Sequence, residues 1–197
     1  MTRRAILSVV GFVVAAIVIW GVLFVAVPRW SRGGADSAAP DGSTAGTPPA
    51  AQRKITATLY YVDDDGLSLV PAQRDVPFGE PVVEQARFIV EAQLAAPAQP
   101  LVSAVPAGTT LRALYLSEPG DAFVDLSGDV TSKHTGGSMD EILTVYAIVN
   151  ALTVNLPAIT RVQVLVDGKE VDTLAGHVDL RNPLSKNLTW VTADNPS

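Results

Sequence analysis

The feature that most constrains this chain is a run of 23 residues without a charge, AILSVVGFVVAAIVIWGVLFVAV, from Ala5 to Val27. A helix of that length is about 34 Å long, and the hydrocarbon core of a bilayer is roughly 30 Å thick. A cleaved signal peptide usually has an apolar region of about 7–15 residues and a small-x-small site, whereas this run is longer and ends at Val27-Pro28 without that site. The sequence therefore predicts a retained signal anchor at 5–27, after a cytoplasmic stub at 1–4.

The orientation of this helix follows from what lies on each side of it. Arg3 and Arg4 before the run are matched by Arg29 and Arg32 after it, so the count of positive charges alone does not decide the orientation. The N-terminal stub is short and also carries the α-amino charge, while a long acidic segment translocates largely regardless of loop charge. We expect a single pass through the cytoplasmic membrane, with the C-terminal part outside the cytoplasm.

The distribution of charge excludes one class of partner, and the absence of cysteine excludes several structures. Four of the 14 basic residues lie in the first 32 positions, so residues 33–197 carry 10 basic residues against 20 acidic ones, a net charge of −10 with His neutral. Such a domain repels phosphate backbones, which disfavours nucleic acid as a partner. Because the sequence has no Cys, disulfides, thiolate zinc sites and a cysteine-linked lipid are also excluded.

Residues 28–53 have the composition of a flexible linker. Of the 25 residues at 28–52, 19 are Pro, Gly, Ala, Ser or Thr, and too few apolar side chains remain to offset the entropy of ordering. A coil of this length reaches about 25–30 Å. We expect one folded domain at 54–190 to follow close to the membrane surface, and then a tail at 191–197.

Hydrophobic periodicity and turn residues within the domain predict the order β-β-α-β-β-α-β-β. The predicted strands are 55–62, 67–76, 111–116, 122–126, 162–166 and 169–173, and the predicted helices are 82–94 and 139–154. Hairpins interleaved with two helices predict an α+β fold, a two-layer sandwich of an antiparallel or mixed sheet with both helices on one face.

Ser138 and Glu141 predict a capping box at the second helix. Asn150 and Thr153 inside that helix are expected to bond to neighbouring backbone.

No motif predicts a metal or phosphate site. His134 and His177 are the only imidazoles, which leaves no spacing for structural zinc. Asp63-Asp64-Asp65-Gly66 lacks the alternation and the distal Glu of a calcium loop, and is predicted to be a hairpin turn. Gly136-Gly137-Ser138 precedes a helix but lacks the G-K-[ST] of a phosphate loop, so we expect it to be a loop and helix cap.

A catalytic triad could in principle be drawn from Ser138, His177 and either Asp179 or Asp125. Neither a G-x-S-x-G elbow nor a spacing signature accompanies these residues. We expect His177 to hydrogen-bond within its own turn and Asp179 to cap a backbone group. The sequence therefore assigns no catalytic, cofactor-binding or metal-binding residue and predicts no cofactor.

Several motifs in the predicted domain resemble the sporulation and spore germination domain called GerMN. They are Leu59-Tyr60-Tyr61, Leu69-Val70-Pro71, Pro106-Ala107-Gly108-Thr109, Val124-Asp125-Leu126, Gly137-Ser138, Glu141, Tyr146, Val149-Asn150, Leu152-Thr153, Val162 to Gly168 and Leu174 to Leu180. The resemblance spans about 55–184, and its most specific part is L-V-D-G followed by L-A-G-H-V-D-L. The chain is thus similar to single-domain, membrane-anchored members of this family.

The resemblance implies a non-catalytic domain of the bacterial cell envelope, in a family whose members help to assemble envelope-spanning complexes and whose fold resembles ring-building modules. It implies a membrane-tethered protein that binds envelope proteins or peptidoglycan, with a role related to sporulation or germination. A homo-oligomer is compatible with this function. Strand edges near Pro71 are expected to bind the partner by strand addition. The alternative hypothesis is a cell-wall hydrolase with a site around His177.

Overall fold

A computed structural model of the chain describes residues 53–192, which form seven strands and three helices. In chain order these are β1 (Lys54–Val62), β2 (Leu69–Pro77), α1 (Val82–Leu94), β3 (Leu111–Leu116), β4 (Asp121–Leu126), α2 (Asp129–Ser132), α3 (Ser138–Asn155), β5 (Arg161–Val166), β6 (Lys169–Glu170) and β7 (Leu184–Ser185). Within these residues, no helix combines the length and apolar character needed to cross a membrane. The predicted span at 5–27, the linker up to 52 and residues 193–197 lie outside the described part.

The strands form two sheets. β1 and β2 make an antiparallel pair with Lys54 opposite Pro77. The second sheet has the order β3-β4-β5-β6, with β7 also paired to β5. Its β4 and β5 are parallel, because α3 crosses over between them, and its other pairs are antiparallel. The predicted α+β class is confirmed, but the strands are divided between two sheets.

Amide side chains from both long helices close the outer edge of β1. Gln93 of α1 accepts a hydrogen bond from the Tyr60 N–H at 2.9 Å and donates one to the Tyr60 carbonyl at 2.7 Å. Asn155, the last residue of α3, makes the same pair of bonds with Thr58, also at 2.9 and 2.7 Å. Each amide satisfies one backbone donor and one acceptor, so the helices take the place of a neighbouring strand. This substitution separates the first hairpin from the second sheet.

The core lies where α1 and α3 contact both sheets. α3 is apolar around most of its circumference and is buried accordingly. Its polar residues are paired, because the Thr153 hydroxyl donates to the Val149 carbonyl at 2.7 Å. Asn150 exchanges two hydrogen bonds with the backbone of Asn187 at 2.8 and 3.0 Å. The expected bond to neighbouring backbone is confirmed for Thr153, whereas Asn150 instead holds a distant segment.

Several predicted boundaries are confirmed and others are wrong. α1 and β3 begin and end where the periodicity placed them. The last hairpin strand contains only Lys169–Glu170, not 169–173. α2 and β7, of four and two residues, were not predicted. Elements this short contain too few residues to show a period.

The predicted capping box at Ser138 and Glu141 is wrong. Gly137, with φ 94°, is the N-cap of α3, and no side chain caps the helix. The Glu141 N–H makes a helical bond to the Gly137 carbonyl at 3.1 Å. Because glycine readily adopts this positive φ, the helix begins one residue earlier than the box requires, and the Glu141 carboxylate is free to bond elsewhere.

Replacing Gln93 should test how strongly the amide closure supports the fold. Gln93→Leu keeps a similar volume but leaves the buried Tyr60 N–H and carbonyl without partners, so we expect the free energy of unfolding to fall by about 2–4 kcal/mol. Urea denaturation of a soluble fragment starting at residue 48 measures this change. Gln73→Leu is the control, because Gln73 bonds to Thr58 at an exposed position and should change stability by less than about 1 kcal/mol. Equal losses for both variants would contradict the interpretation.

Candidate functional site

The structure does not bring together the residue types of a triad, which are Ser138, His177, Asp125 and Asp179. Among residues 53–192, no hydrogen bond joins any two of them. Asp125 accepts the Gly168 N–H at 2.7 Å. Asp179 accepts the Arg181 N–H at 3.1 Å, as expected for a backbone cap, and two guanidinium bonds at 2.9 and 2.7 Å. The Arg181 side chain lowers the pKa of the Asp179 carboxyl to about 2.

Glu141 of α3 is fully buried and holds the loop between β6 and β7. Its Oε1 accepts the N–H groups of Leu174 and Ala175 at 2.7 and 2.9 Å. Its Oε2 accepts the His177 N–H at 2.7 Å and lies 3.2 Å from His177 Nδ1. The expectation that His177 bonds within its own turn is therefore wrong. Backbone donors surround the carboxylate, so its role in the structure is to fix the loop.

The protonation of Glu141 follows from this environment. Burial by itself would raise the pKa of the Glu141 carboxyl, but the backbone N–H groups of Ala175, His177, Leu174 and Val178 stabilise the anion and bring the pKa below its ordinary value of 4.5. The carboxylate is therefore charged at neutral pH. A charged acceptor already bonded to several donors is not available as a general acid.

A cavity of about 480 Å³ lies beside the N-terminal half of α3. Its lining comprises Val62, residues 102–107, residues 133–135, Asp140, Leu143 and Thr144. Polar side chains of this lining are bonded within the domain. Lys133 pairs with Asp129 at 2.9 Å, and Asp140 accepts the Thr135 hydroxyl at 2.9 Å. These groups therefore do not converge on a point where a substrate could react.

His134, the second imidazole, is part of the wall of this cavity. Its Nδ1 accepts the Gly136 N–H at 3.0 Å, and its Nε2 lies 3.2 Å from Thr144 Oγ1. The Thr144 hydroxyl donates to the Ala104 carbonyl at 2.5 Å. Since both ring nitrogens have partners within the domain, His134 connects three segments of the fold.

Asp63 confirms the predicted hairpin turn. Its carboxylate accepts the N–H groups of Leu67 and Ser68 at 3.0 and 3.2 Å and the Ser68 hydroxyl at 2.5 Å. The Ser68 hydroxyl is the main reason that the pKa of Asp63 is lowered. In the described part of the chain, no group of three or more His, Asp or Glu side chains is placed to hold a metal ion.

The outer edge of β3 is the candidate interaction site. β3 ends the second sheet, and the Ser117 N–H donates to the Asp121 carbonyl at 2.9 Å, which fixes the side that faces β4. Because backbone groups alternate along a strand, the N–H and carbonyl groups of Leu114 and Leu116 point away from β4. An apolar groove of about 450 Å³ runs alongside, between β3 and the start of α1.

We refer to the residues that line this groove as the β3 edge surface. They are Pro81, Val82, Val83, Leu114, Tyr115 and Leu116. Tyr115 and Val82 are 60% and 41% exposed. Large apolar side chains exposed beside an open strand edge are characteristic of surfaces that receive another chain.

The edge of β2, which the sequence favoured, is bonded at both ends, and its free backbone groups lie in its middle, at Gln73 and Asp75. The Leu69 N–H donates to the Trp190 carbonyl at 2.6 Å, and the Leu69 carbonyl accepts the Thr192 N–H at 2.9 Å. Pro71, the next outward-facing position, has no N–H to donate. The Pro77 carbonyl accepts the Gln85 amide at 3.1 Å. β3 differs from this edge in having an apolar groove beside its free backbone groups, and this difference makes β3 the better candidate for strand addition.

These features define a two-sheet α+β domain with an open strand edge and with its polar side chains bonded internally. The model of the Germane family, described as sporulation and spore germination, matches residues 58–172, more than half of the chain. The chain therefore belongs to the Germane family, and the resemblance to GerMN is confirmed. No curated protein sequence matches the chain.

Two solved structures from Bacillus subtilis have a similar fold. The first GerMN domain of the sporulation protein GerM is 19% identical, with a TM-score of 0.52, over 66% of this chain and 97% of that domain. The structure of the tandem GerMN domains of GerM is also 19% identical, with a TM-score of 0.53, over 68% of this chain and 46% of that one. The chain thus corresponds to one GerMN domain and spans about half of the tandem protein.

The pH dependence of stability should reveal the Glu141 contacts. Because the pKa of Glu141 is lowered on folding, its contribution to stability is complete above the unfolded-state value of 4.5 and is lost as pH falls through the lower folded-state pKa. Glu141→Gln should reduce the free energy of unfolding at pH 7 by about 2–3 kcal/mol, since an amide cannot accept all these bonds. The difference between the two proteins should then shrink below pH 4.5.

Chemical denaturation of the soluble fragment between pH 3 and 7 measures both effects. Glu170→Gln provides the matched control, because Glu170 is exposed and should leave the pH profile unchanged. If the free energies of unfolding of Glu141→Gln and of the unmodified protein differ by a constant amount across this range, the charge of Glu141 does not contribute to stability.

Proposed function

We propose that this protein is a membrane-tethered, extracytoplasmic GerMN-domain protein that binds another protein of the bacterial cell envelope and has no catalytic activity. The open edge of β3 beside an apolar groove is the observation that carries the binding function. The tether rests on the uncharged run at 5–27 and the linker at 28–53. Membership of the Germane family supports a role related to sporulation or germination.

An extended segment of a partner fits the β3 edge surface in two ways. Its backbone can bond to Leu114 and Leu116, and its side chains can cover Tyr115 and Val82. Backbone pairing supplies affinity without requiring a particular sequence, while the groove selects apolar side chains. A protein partner therefore accounts for the surface better than the glycan strands of peptidoglycan, which have no peptide backbone to pair.

A cell-wall hydrolase centred on His177 has less support. His177 contacts a carboxylate that four backbone N–H groups surround, and Asp179 is bound by Arg181. A general base needs an acceptor directed at the substrate proton, and these groups are directed at the protein itself. The contacts of His177 favour a structural role.

The predicted topology can be tested with single cysteines, since the sequence contains none. Leu67→Cys places a thiol at a position that is 61% exposed in the domain, and Thr2→Cys places one before the predicted span. We expect a membrane-impermeant maleimide to label Leu67→Cys in intact cells, and Thr2→Cys only after the membrane is opened. The reverse pattern would overturn the proposed location.

Chemical cross-linking of the full chain in membranes tests the binding function. Tyr115→Lys and Val82→Lys place a charge on the β3 edge surface, and we expect each to reduce cross-linking to a protein partner by about tenfold, as is typical of a central contact residue. Leu67→Lys is the control, because Leu67 is equally exposed but lies in the β1–β2 turn. Loss of binding to isolated peptidoglycan without any change in protein cross-links would instead identify the cell wall as the ligand.

A further inference from the structure

We propose that the protein bound at the β3 edge surface is a second copy of this chain, with the two β3 strands antiparallel about a two-fold axis at Tyr115. This inference rests on the proposed function, because it names the partner of the same surface. An isologous interface requires that one patch be complementary to itself. The backbone, side chains and charges of β3 each meet this requirement.

The backbone groups of β3 form a self-complementary set. With the axis at Tyr115, Leu114 lies opposite Leu116 of the second copy, and Leu116 lies opposite its Leu114. Both residues direct their N–H and carbonyl groups away from β4, so each pair exchanges two hydrogen bonds, about four in total. The second sheets of the two copies would thereby become one continuous sheet. A strand edge exposed to solvent in one copy would be closed in the pair.

The exposed aromatic side chain lies on the axis. Tyr115 would face Tyr115 of the second copy at a position without direct backbone bonds, where the Cα atoms of opposing residues are about 4.5 Å apart. Aromatic residues at such positions attract one another and remove apolar area from water. The groove beside β3 is lined by Val82, so an added strand would also cover this side chain.

Charges at the two ends of β3 are arranged for antiparallel pairing. Arg112 lies at the beginning of the strand, at an irregularity in the pairing of β3 with β4. Its guanidinium contacts Asp125 and Asp167, each at 3.2 Å, and is still half exposed. Glu118 follows the end of the strand and is exposed. In the register centred on Tyr115, Arg112 lies opposite Glu118 of the second copy. Opposite charges therefore meet at both ends, whereas a parallel arrangement would set like charges side by side.

Attachment to one membrane favours this pairing. Copies that share a bilayer surface and carry linkers with a reach of about 25–30 Å have a much higher effective concentration than free domains. A modest interface of one strand edge and a few apolar side chains is then enough to hold a dimer. The same interface would be weak in dilute solution.

Disulfide trapping in membranes tests the proposal on the full chain. Tyr115→Cys introduces a single thiol, and at about 4.5 Å the Cα atoms of two such residues lie within the range for a disulfide, about 4.4–6.8 Å. We expect a mild oxidant to convert most of this variant to a covalent dimer on a non-reducing gel. Leu67→Cys, which is equally exposed, should give little dimer.

A charge reversal tests the register. Glu118→Arg in the Tyr115→Cys chain would set two arginines against each other, and we expect the yield of dimer to fall about fivefold. An equal yield of dimer from Tyr115→Cys and Leu67→Cys, or no effect of Glu118→Arg, would overturn the proposal.

Two further outcomes separate this inference from the function on which it rests. If Tyr115→Cys cross-links only to a different protein, the second copy is excluded while the binding function stands. If the covalent dimer forms but Leu67→Cys is labelled only in opened cells, the dimer stands and the extracytoplasmic location fails.

Discussion

The closure of β1 by two amide side chains is the interaction on which the rest of the structure depends. Gln93 and Asn155 each bond to a backbone N–H and a backbone carbonyl of β1, as a neighbouring strand would do. These residues lie on the two long helices, so the same contacts position α1 and α3 against the first hairpin. Buried backbone groups must be paired, and no apolar side chain could replace either amide. At Tyr60 and Thr58 the two amides therefore occupy the place that a third strand of the first sheet would take.

A buried charge near the other end of α3 organises a loop in a similar way. Glu141 of α3 bonds to backbone N–H groups between β6 and β7. This loop has little regular structure, and a charged acceptor gives its donors stronger bonds than a neutral group would. Taken together, Gln93, Asn155 and Glu141 show one strategy: polar side chains on helices satisfy backbone groups that no strand reaches. Polar residues that suggest chemistry in the sequence thereby serve the structure.

Much of the fold could be predicted from the sequence, because α1, α3, β1 and β3 have clear periods and clear ends. The contacts of polar residues could not be predicted, because they join distant parts of the chain. Glu141 has the spacing of a capping box, yet it bonds to residues more than 30 positions away. The GerMN-like motifs include both Glu141 and His177, but a motif does not show that its members touch. Local rules therefore assigned Glu141 to the wrong partner.

The candidate site lies at β3 because of the order of the strands in the sheet. No local sequence pattern predicts that order. β3 lies at an edge because α3 carries the chain across to place β5 on the far side of β4. Once that order is known, the outer edges of the strands can be compared, and each is bonded differently. Amides close β1, while Pro71 and residues 190–192 restrict β2. β3 has instead an apolar groove and an exposed Tyr115 beside its free backbone groups. A strand edge that combines free backbone groups, an apolar groove and an exposed aromatic side chain has the physical properties of a binding surface, and this combination lies at β3.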